Sequence, residues 1–200
     1  MTWAILILTI GVSILAFQQE DLLRKLRFSP WLIRERGQGY RFLSYAIVHA
    51  DWMHLGINMF VLYSFGMAVE HYYRLLFTNM SWFYFILLYV GGVVLSVTPA
   101  FGKHSKNPQY AAVGASGAVS AVVFASIIIR PMSGIMIFPL PFEIPGILFG
   151  GLYLIYSAWM SRRGNDNVGH DAHLWGAVYG SVFTIALKPS LLEAMVRQIL

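Results

Sequence analysis

The sequence has 200 residues and no cysteine. Disulfide frameworks, zinc-thiolate sites and cysteine nucleophiles are therefore excluded. Charge is scarce too. Asp, Glu, Lys and Arg make up 12% of the chain, about half the ~25% of ordinary soluble domains. A water-soluble globule of this size must cover its outside with charge, so the composition argues against one. With 58% of residues hydrophobic, the chain is not a disordered one. The 14 basic residues are dispersed rather than gathered into a stripe, and no nucleic-acid-binding motif is present, so no nucleic-acid partner is expected. There is no HExxH string. His170 and His173 have helical spacing, but Asp171 falls on another face, and neither a metal nor a cofactor is expected.

What is present is long apolar blocks, with the charges collected between them. Mean hydropathy is +0.62. This pattern predicts an all-α, polytopic membrane protein, a six-transmembrane-helix bundle in a single domain over 1–200. The expected spans are about 3–19, 53–70, 81–98, 115–130, 146–160 and 172–187. No Lys or Arg precedes the first block and no small-residue cleavage site follows it, so it reads as an uncleaved span. The net charge of +5 on so apolar a chain points to lipid headgroups. The third span is expected to stop at Pro99.

The longest connection, 20–51, alternates Arg24, Lys25, Arg27, Arg34, Arg36 and Arg41 with large apolar residues such as Leu26, Phe28, Trp31 and Tyr45. Such a stretch suits the membrane interface, with rings at headgroup depth and cations in water or on phosphate. The fourth and sixth spans are short against the ~20 residues needed to cross. A short span must begin below the membrane surface, which requires a wet cavity there, because open backbone cannot face lipid. Polar residues at the starts of these two spans would line that cavity.

Ionisable groups inside spans are costly, so each needs an explanation. His54 and Asn58 share one helical face at spacing i, i+4. The fourth span opens Gly114-Ala115-Ser116-Gly117, which puts a hydroxyl near free N–H groups and a positive dipole end. The same tetrapeptide is also an ordinary cap and a common packing string in membranes. In the sixth span His173, Gly176 and Gly180 form one stripe, and the small residues let a neighbouring helix close on it. If that neighbour is the fourth span, an imidazole of suitable pKa meets a serine that needs a base. Read blandly, these are hydrogen-bonded packing residues. His170 competes with His173 for the role of base, but it precedes the expected helix and lacks the glycine stripe.

Together these strings resemble the rhomboid intramembrane serine proteases, in order and over nearly the whole chain. The resemblance runs from His49 at the end of the first connection through His54-x-x-x-Asn58 and Ala68-Val69-Glu70. It continues with Gly114-x-Ser116-Gly117 and Ala172-His173-x-x-Gly176. It implies a Ser116 nucleophile and a His173 base, a dyad without aspartate. The oxyanion would be held by the Ser116 backbone N–H with His54 and Asn58. Arg41, His49 and Glu70 would be structural hydrogen-bonding positions. One residue departs from the pattern. Family members often carry an aromatic four positions after the nucleophile, packed on the histidine ring, and here that position is Ser120. Trp175 and Tyr179 are the nearby aromatic residues expected to compensate.

The resemblance implies transmembrane protein substrates that unwind locally within the bilayer and are cut through an acyl-enzyme. Residues 161–171 would form a lid and the fifth span a side gate. It implies a multi-pass membrane protein with its site opening to the extracytoplasmic side, and the compact chain suits a bacterial cytoplasmic membrane. The basic residues oppose that orientation. With the N-terminus inside, ten would lie in outer connections and four in inner ones, against the positive-inside tendency. Two other readings use the same residues: an inactive relative that binds membrane segments as a scaffold, and a small channel or transporter.

Overall fold

The computed structural model describes residues 1–137, 141–163 and 169–200. The fold is all-α, with ten α-helices, two single-turn 3-10 helices and one short hairpin among the described residues. The α-helices are α1 (Thr2–Gln18), α2 (Glu20–Leu26), α3 (Pro30–Arg36), α4 (Arg41–Ser44), α5 (Trp52–Phe77) and α6 (Ser81–His104). Then come α7 (Ser116–Ile129), α8 (Gly146–Arg163), α9 (His170–Leu187) and α10 (Ser190–Ile199). Strands β1 (Gly134–Met136) and β2 (Glu143–Pro145) pair antiparallel between α7 and α8.

Each expected span falls on one helix, with shifted ends. The stretch Trp52–His104 is long and apolar enough to cross a bilayer. It is two helices, α5 and α6, broken at Thr78, whose φ of 44° no helix continues through. α1 and α7 are shorter apolar helices. Pro99 does not end α6, which continues to His104. A proline one turn from a helix end forfeits a single backbone bond, and Ala100 beyond it is buried in the core. α9 begins at His170, so His170 lies inside the helix rather than before it.

The burial pattern of α1 is inverted relative to a soluble helix. Its inward stripe is Thr2, Leu6, Thr9, Ser13 and Ala16, while Trp3, Ile7, Leu8 and Leu15 face outward. Small and weakly polar groups allow close approach between helices, and large apolar groups suit a lipid surround. Gly66 on α5 meets Thr2 in this way: a β-carbon at residue 66 would lie 2.7 Å from the Thr2 hydroxyl oxygen. One turn further on, Glu70 accepts the Thr2 backbone N–H, placing a carboxylate at the positive end of α1.

α7 is the central element. Every residue from Gly117 to Ile129 is buried, as expected of a helix apolar on all sides. α5, α6 and α9 surround it. Small residues set the spacing. A β-carbon at Gly92 of α6 would lie 3.0 Å from both Ala118 and Ala121 of α7. α8 is peripheral, burying only Gly146, Gly150 and Ser157.

The first connection is folded rather than loose. Ser29 caps α3 by accepting from Leu32 N, Pro30 opens the helix, and Gly37 closes it at φ 64°. Arg41 is 4% exposed. Its guanidinium donates to the carbonyls of Arg24 and Arg27 at 3.0 and 2.7 Å and to Gln38 Oε1 at 2.7 Å. Phe28 exchanges backbone hydrogen bonds with Ala112. Gly114 N donates to Tyr45 O at 2.9 Å. The first connection thereby fixes the loop that delivers the start of α7.

Candidate active site

Ser116 is the first residue of α7 and is half-buried. The preceding loop turns at Gly114, whose φ of 103° is open only to glycine. That turn brings the chain against His54: a β-carbon at residue 114 would lie 2.5 Å from His54 Cε1. The first turn of α7 leaves backbone N–H groups without helical acceptors, at the positive end of the helix. The Ser116 N–H is one of them.

α9 supplies His173. Its small-residue stripe closes directly on α7. A β-carbon at Gly176 would lie 2.0 Å from the Gly117 carbonyl oxygen, and one at Gly180 would lie 2.1 Å from that of Ala121. The neighbour of the stripe is therefore the helix that begins with Ser116. The Ala172 carbonyl lies 3.2 Å from a β-carbon position at Gly117. Residues 116 and 173 thus flank the tightest contact between the two helices. Among the described residues, no hydrogen bond joins the Ser116 hydroxyl to the His173 ring. Catalytic hydrogen bonds often tighten only around bound substrate.

His54 and Asn58 lie on α5, and the His54 ring borders Gly114 just ahead of α7. Asp51 caps the helix by accepting from His54 N at 2.8 Å, which fixes the turn that carries the His54 ring. Asn58 is buried, and its amide donates to the His54 carbonyl at 2.9 Å. One of its N–H bonds is therefore committed to its own helix. His49 packs edge-on against His54 with ring centroids 5.0 Å apart. It is fully buried and pairs through Nδ1 with the Ser13 hydroxyl at 3.0 Å. Burial, with His54 nearby, pushes its pKa down to about 3, so it is neutral at physiological pH.

The aromatic neighbour of His173 comes from an unexpected element. Tyr153 of α8 lies near-parallel to the imidazole, with centroids 6.3 Å apart and planes at 26°. Its hydroxyl is 2.6 Å from Ser120 Oγ, and Ser120 in turn donates to the Ser116 carbonyl at 2.8 Å. Trp175 points outward and is 44% exposed. Tyr179 donates to Leu87 O on α6. Neither of these two fills the place left by Ser120. The signal for Tyr153 was indirect: a small residue at a crowded position requires bulk from a neighbour.

His170 is buried and meets His173 edge-on at 5.9 Å and Tyr156 at 5.5 Å. Of the expected lid, residues 164–168 lie outside the described residues. Its two ends are tied together, because the Ser161 hydroxyl donates to the Asp171 carboxylate. Lys103 Nζ lies 3.7 Å from the other Asp171 oxygen, linking the end of α6.

The chain is similar to known proteins. Rhomboid-related protein 1 of Caenorhabditis elegans is 25% identical over 181 residues, which are 86% of this chain and 46% of that protein. The chain thus spans about half the length of that curated relative. A family model described as "Rhomboid domain" matches residues 36–190, which contain Ser116, His173, His54 and Asn58, and on that match the chain belongs to the rhomboid family of membrane-embedded proteins.

Proposed function

We propose that this chain is an intramembrane serine endopeptidase that cleaves transmembrane segments of membrane proteins. The observation that carries the reading is the α7–α9 contact. Two glycine-to-carbonyl approaches, Gly176 on Gly117 and Gly180 on Ala121, hold the helix start bearing Ser116 beside the one bearing His173. In the proposed reaction His173 takes the Ser116 Oγ proton as Oγ bonds to the substrate carbonyl carbon. The resulting oxyanion is received by the Ser116 N–H, His54 and Asn58. The carbon–nitrogen bond breaks as His173 returns the proton to the leaving amine, leaving an acyl-enzyme. His173 then deprotonates water, which attacks the ester, and the proton returns to Ser116 Oγ as the acid product leaves. These steps need no metal or cofactor.

The six helices α1, α5, α6, α7, α8 and α9 are proposed to cross the bilayer, with the site opening to the extracytoplasmic side of a bacterial inner membrane. Large exposed apolar residues such as Ile7, Phe60, Trp82, Leu152 and Val182 supply a surface that lipid would cover. α8 is the proposed side gate, since it is the least buried of the six. Substrate segments would unwind there, so helix-weakening residues near the cleavage point should favour cutting.

A second reading uses the same residues: an inactive relative that binds segments without cutting them. Purified protein incubated with a transmembrane-segment substrate separates the two. Cleavage by wild type, absent from Ser116→Ala and His173→Ala, supports the protease. Cleavage that survives either substitution, or binding without any cleavage, refutes it. Cysteines introduced at Lys106 and Arg130 and labelled from each side of the membrane test the orientation.

A further inference from the structure

The geometry points to Tyr153 as the positioning residue for His173, with α8 rather than α7 holding the base and Ser120 tying Tyr153 back to Ser116. This inference rests on the protease reading and deepens it.

Three contacts form one continuous path. The Tyr153 ring lies along the imidazole at 6.3 Å with planes 26° apart, within the range for offset stacking of aromatic rings. Such a contact restrains rotation about the histidine side-chain bonds, which decides where its proton-accepting nitrogen points. The Tyr153 hydroxyl meets Ser120 Oγ at 2.6 Å, and Ser120 meets the Ser116 carbonyl at 2.8 Å. Ser120 has one proton and spends it on that carbonyl, so Tyr153 is the donor to Ser120. The path thus runs from the base on α9, through α8, to the backbone of the nucleophile on α7.

The surroundings leave Tyr153 little alternative. Its ring is also flanked by Phe124 of α7 at 5.6 Å and Phe149 of α8 at 5.7 Å. Gly150 lets α8 close on Phe124 and Ile127, where a β-carbon would meet side-chain atoms at 3.3–3.4 Å. Ser120 is therefore a fitted partner rather than a gap. A larger residue there would contest the volume that Tyr153 occupies. Because α8 is also the proposed gate, the aim of the base depends on where that helix sits.

The test uses the full chain in detergent as wild type, Ser116→Ala, Tyr153→Ala, Tyr153→Leu, Tyr153→Phe and Tyr153→Ala combined with Ser120→Tyr. Three quantities are read: kcat and KM on a transmembrane-segment substrate, the rate of Ser116 labelling by a fluorophosphonate, and thermal stability. A misdirected base should lower kcat and labelling by about tenfold or more while KM stays within about twofold. Tyr153→Leu keeps the bulk without the flat face and should show the same loss if Tyr153→Ala unfolds. Tyr153→Phe keeps the ring and should lose less than about threefold. The double variant returns a ring from one helical turn beyond Ser116 and should recover at least about a third of wild-type kcat. Wild-type kcat in Tyr153→Leu, or a stable double variant that recovers nothing, overturns the proposal. Failure of wild type to cleave or label at all would instead overturn the protease reading, so the two failures are distinguishable.

Discussion

Gly176 sits so close to Gly117 that a β-carbon on it would lie 2.0 Å from the Gly117 carbonyl oxygen. The obstacle is backbone rather than a flexible side chain, so the helices must separate to admit even a methyl group. Gly176→Ala should therefore destabilise the protein by about 1–3 kcal/mol, the range for overpacking a close-packed contact. It should also pull the two proposed reacting residues apart. Thermal unfolding and Ser116 labelling should both fall. Gly151, with nothing within 4 Å of its β-carbon position, is the control, and Gly151→Ala should leave both unchanged or slightly raised. Equal behaviour of the two variants would contradict the packing account.

Gly114 combines two constraints in one residue. Its φ of 103° strains any other residue, and a β-carbon would collide with the His54 ring at 2.5 Å. Backbone strain of this kind costs about 1–3 kcal/mol, and the collision adds displacement of a proposed oxyanion donor. Gly114→Ala should therefore lose labelling at Ser116 more steeply than it loses thermal stability. Gly37 also has positive φ but lies in open space, so Gly37→Ala should show the stability loss alone.

His54 and Asn58 should not contribute equally. Asn58 commits one amide hydrogen to the His54 carbonyl, whereas the His54 ring borders Gly114, two residues before Ser116. Removing a well-placed oxyanion donor costs about 10²–10³ in kcat. His54→Ala should approach that loss and Asn58→Ala should fall short of it, with part of its effect appearing as lower stability. The reverse ranking, measured on one substrate under one condition, would assign the principal donor to Asn58.

The helices were legible because apolar blocks of near-span length are separated by charge and proline. Close packing of α9 on some neighbour was legible, because the stripe of Gly176 and Gly180 can serve little other purpose than close approach, but that the neighbour is α7 is fixed only by the fold. What escaped the sequence lay in long-range side-chain geometry. Tyr153 is 33 positions from Ser120 in the bonded pair, and no spacing rule links them. Pro99 read as a stop because local propensity disfavours it, yet burial of Val97 and Ala100 carries α6 past it to His104. The β1–β2 hairpin is short and weakly patterned, and α10, though amphipathic, is a ten-residue helix well under span length; neither was expected.

Arg41 holds the first connection together through two carbonyls and a side-chain amide while almost wholly buried. The planar fork is what reaches Gln38 from Nε and both carbonyls from one terminal nitrogen. Lysine has a single nitrogen on a longer stem and cannot reproduce that spread. Arg41→Lys should destabilise the protein, and Arg41→Ala should do so further, by about 2–4 kcal/mol, because carbonyls are left without donors. Since Phe28 and Tyr45 anchor the loop ahead of Ser116, both variants should also lower labelling at that serine. Unchanged stability in Arg41→Lys would show that charge alone serves at this position.

His49 makes acid sensitivity a sharp test of the buried wall behind His54. Burial holds its pKa at about 3, against 6.5 for a free side chain. An unfolded chain takes up a proton on this ring as pH falls below 6.5, while the folded chain does not. The stability associated with neutral His49 is therefore complete above pH 6.5 and is lost progressively as pH falls towards 3. Thermal unfolding of wild type between pH 7.5 and 4 should show a decline, and His49→Gln, which cannot titrate there, should show a shallower one from a lower starting point. The comparison of slopes isolates this ring, because carboxylates that titrate in the same window are common to both proteins. Parallel slopes would mean that the ring is charged in the fold, and with it that the Ser13 contact is not the neutral hydrogen bond described above.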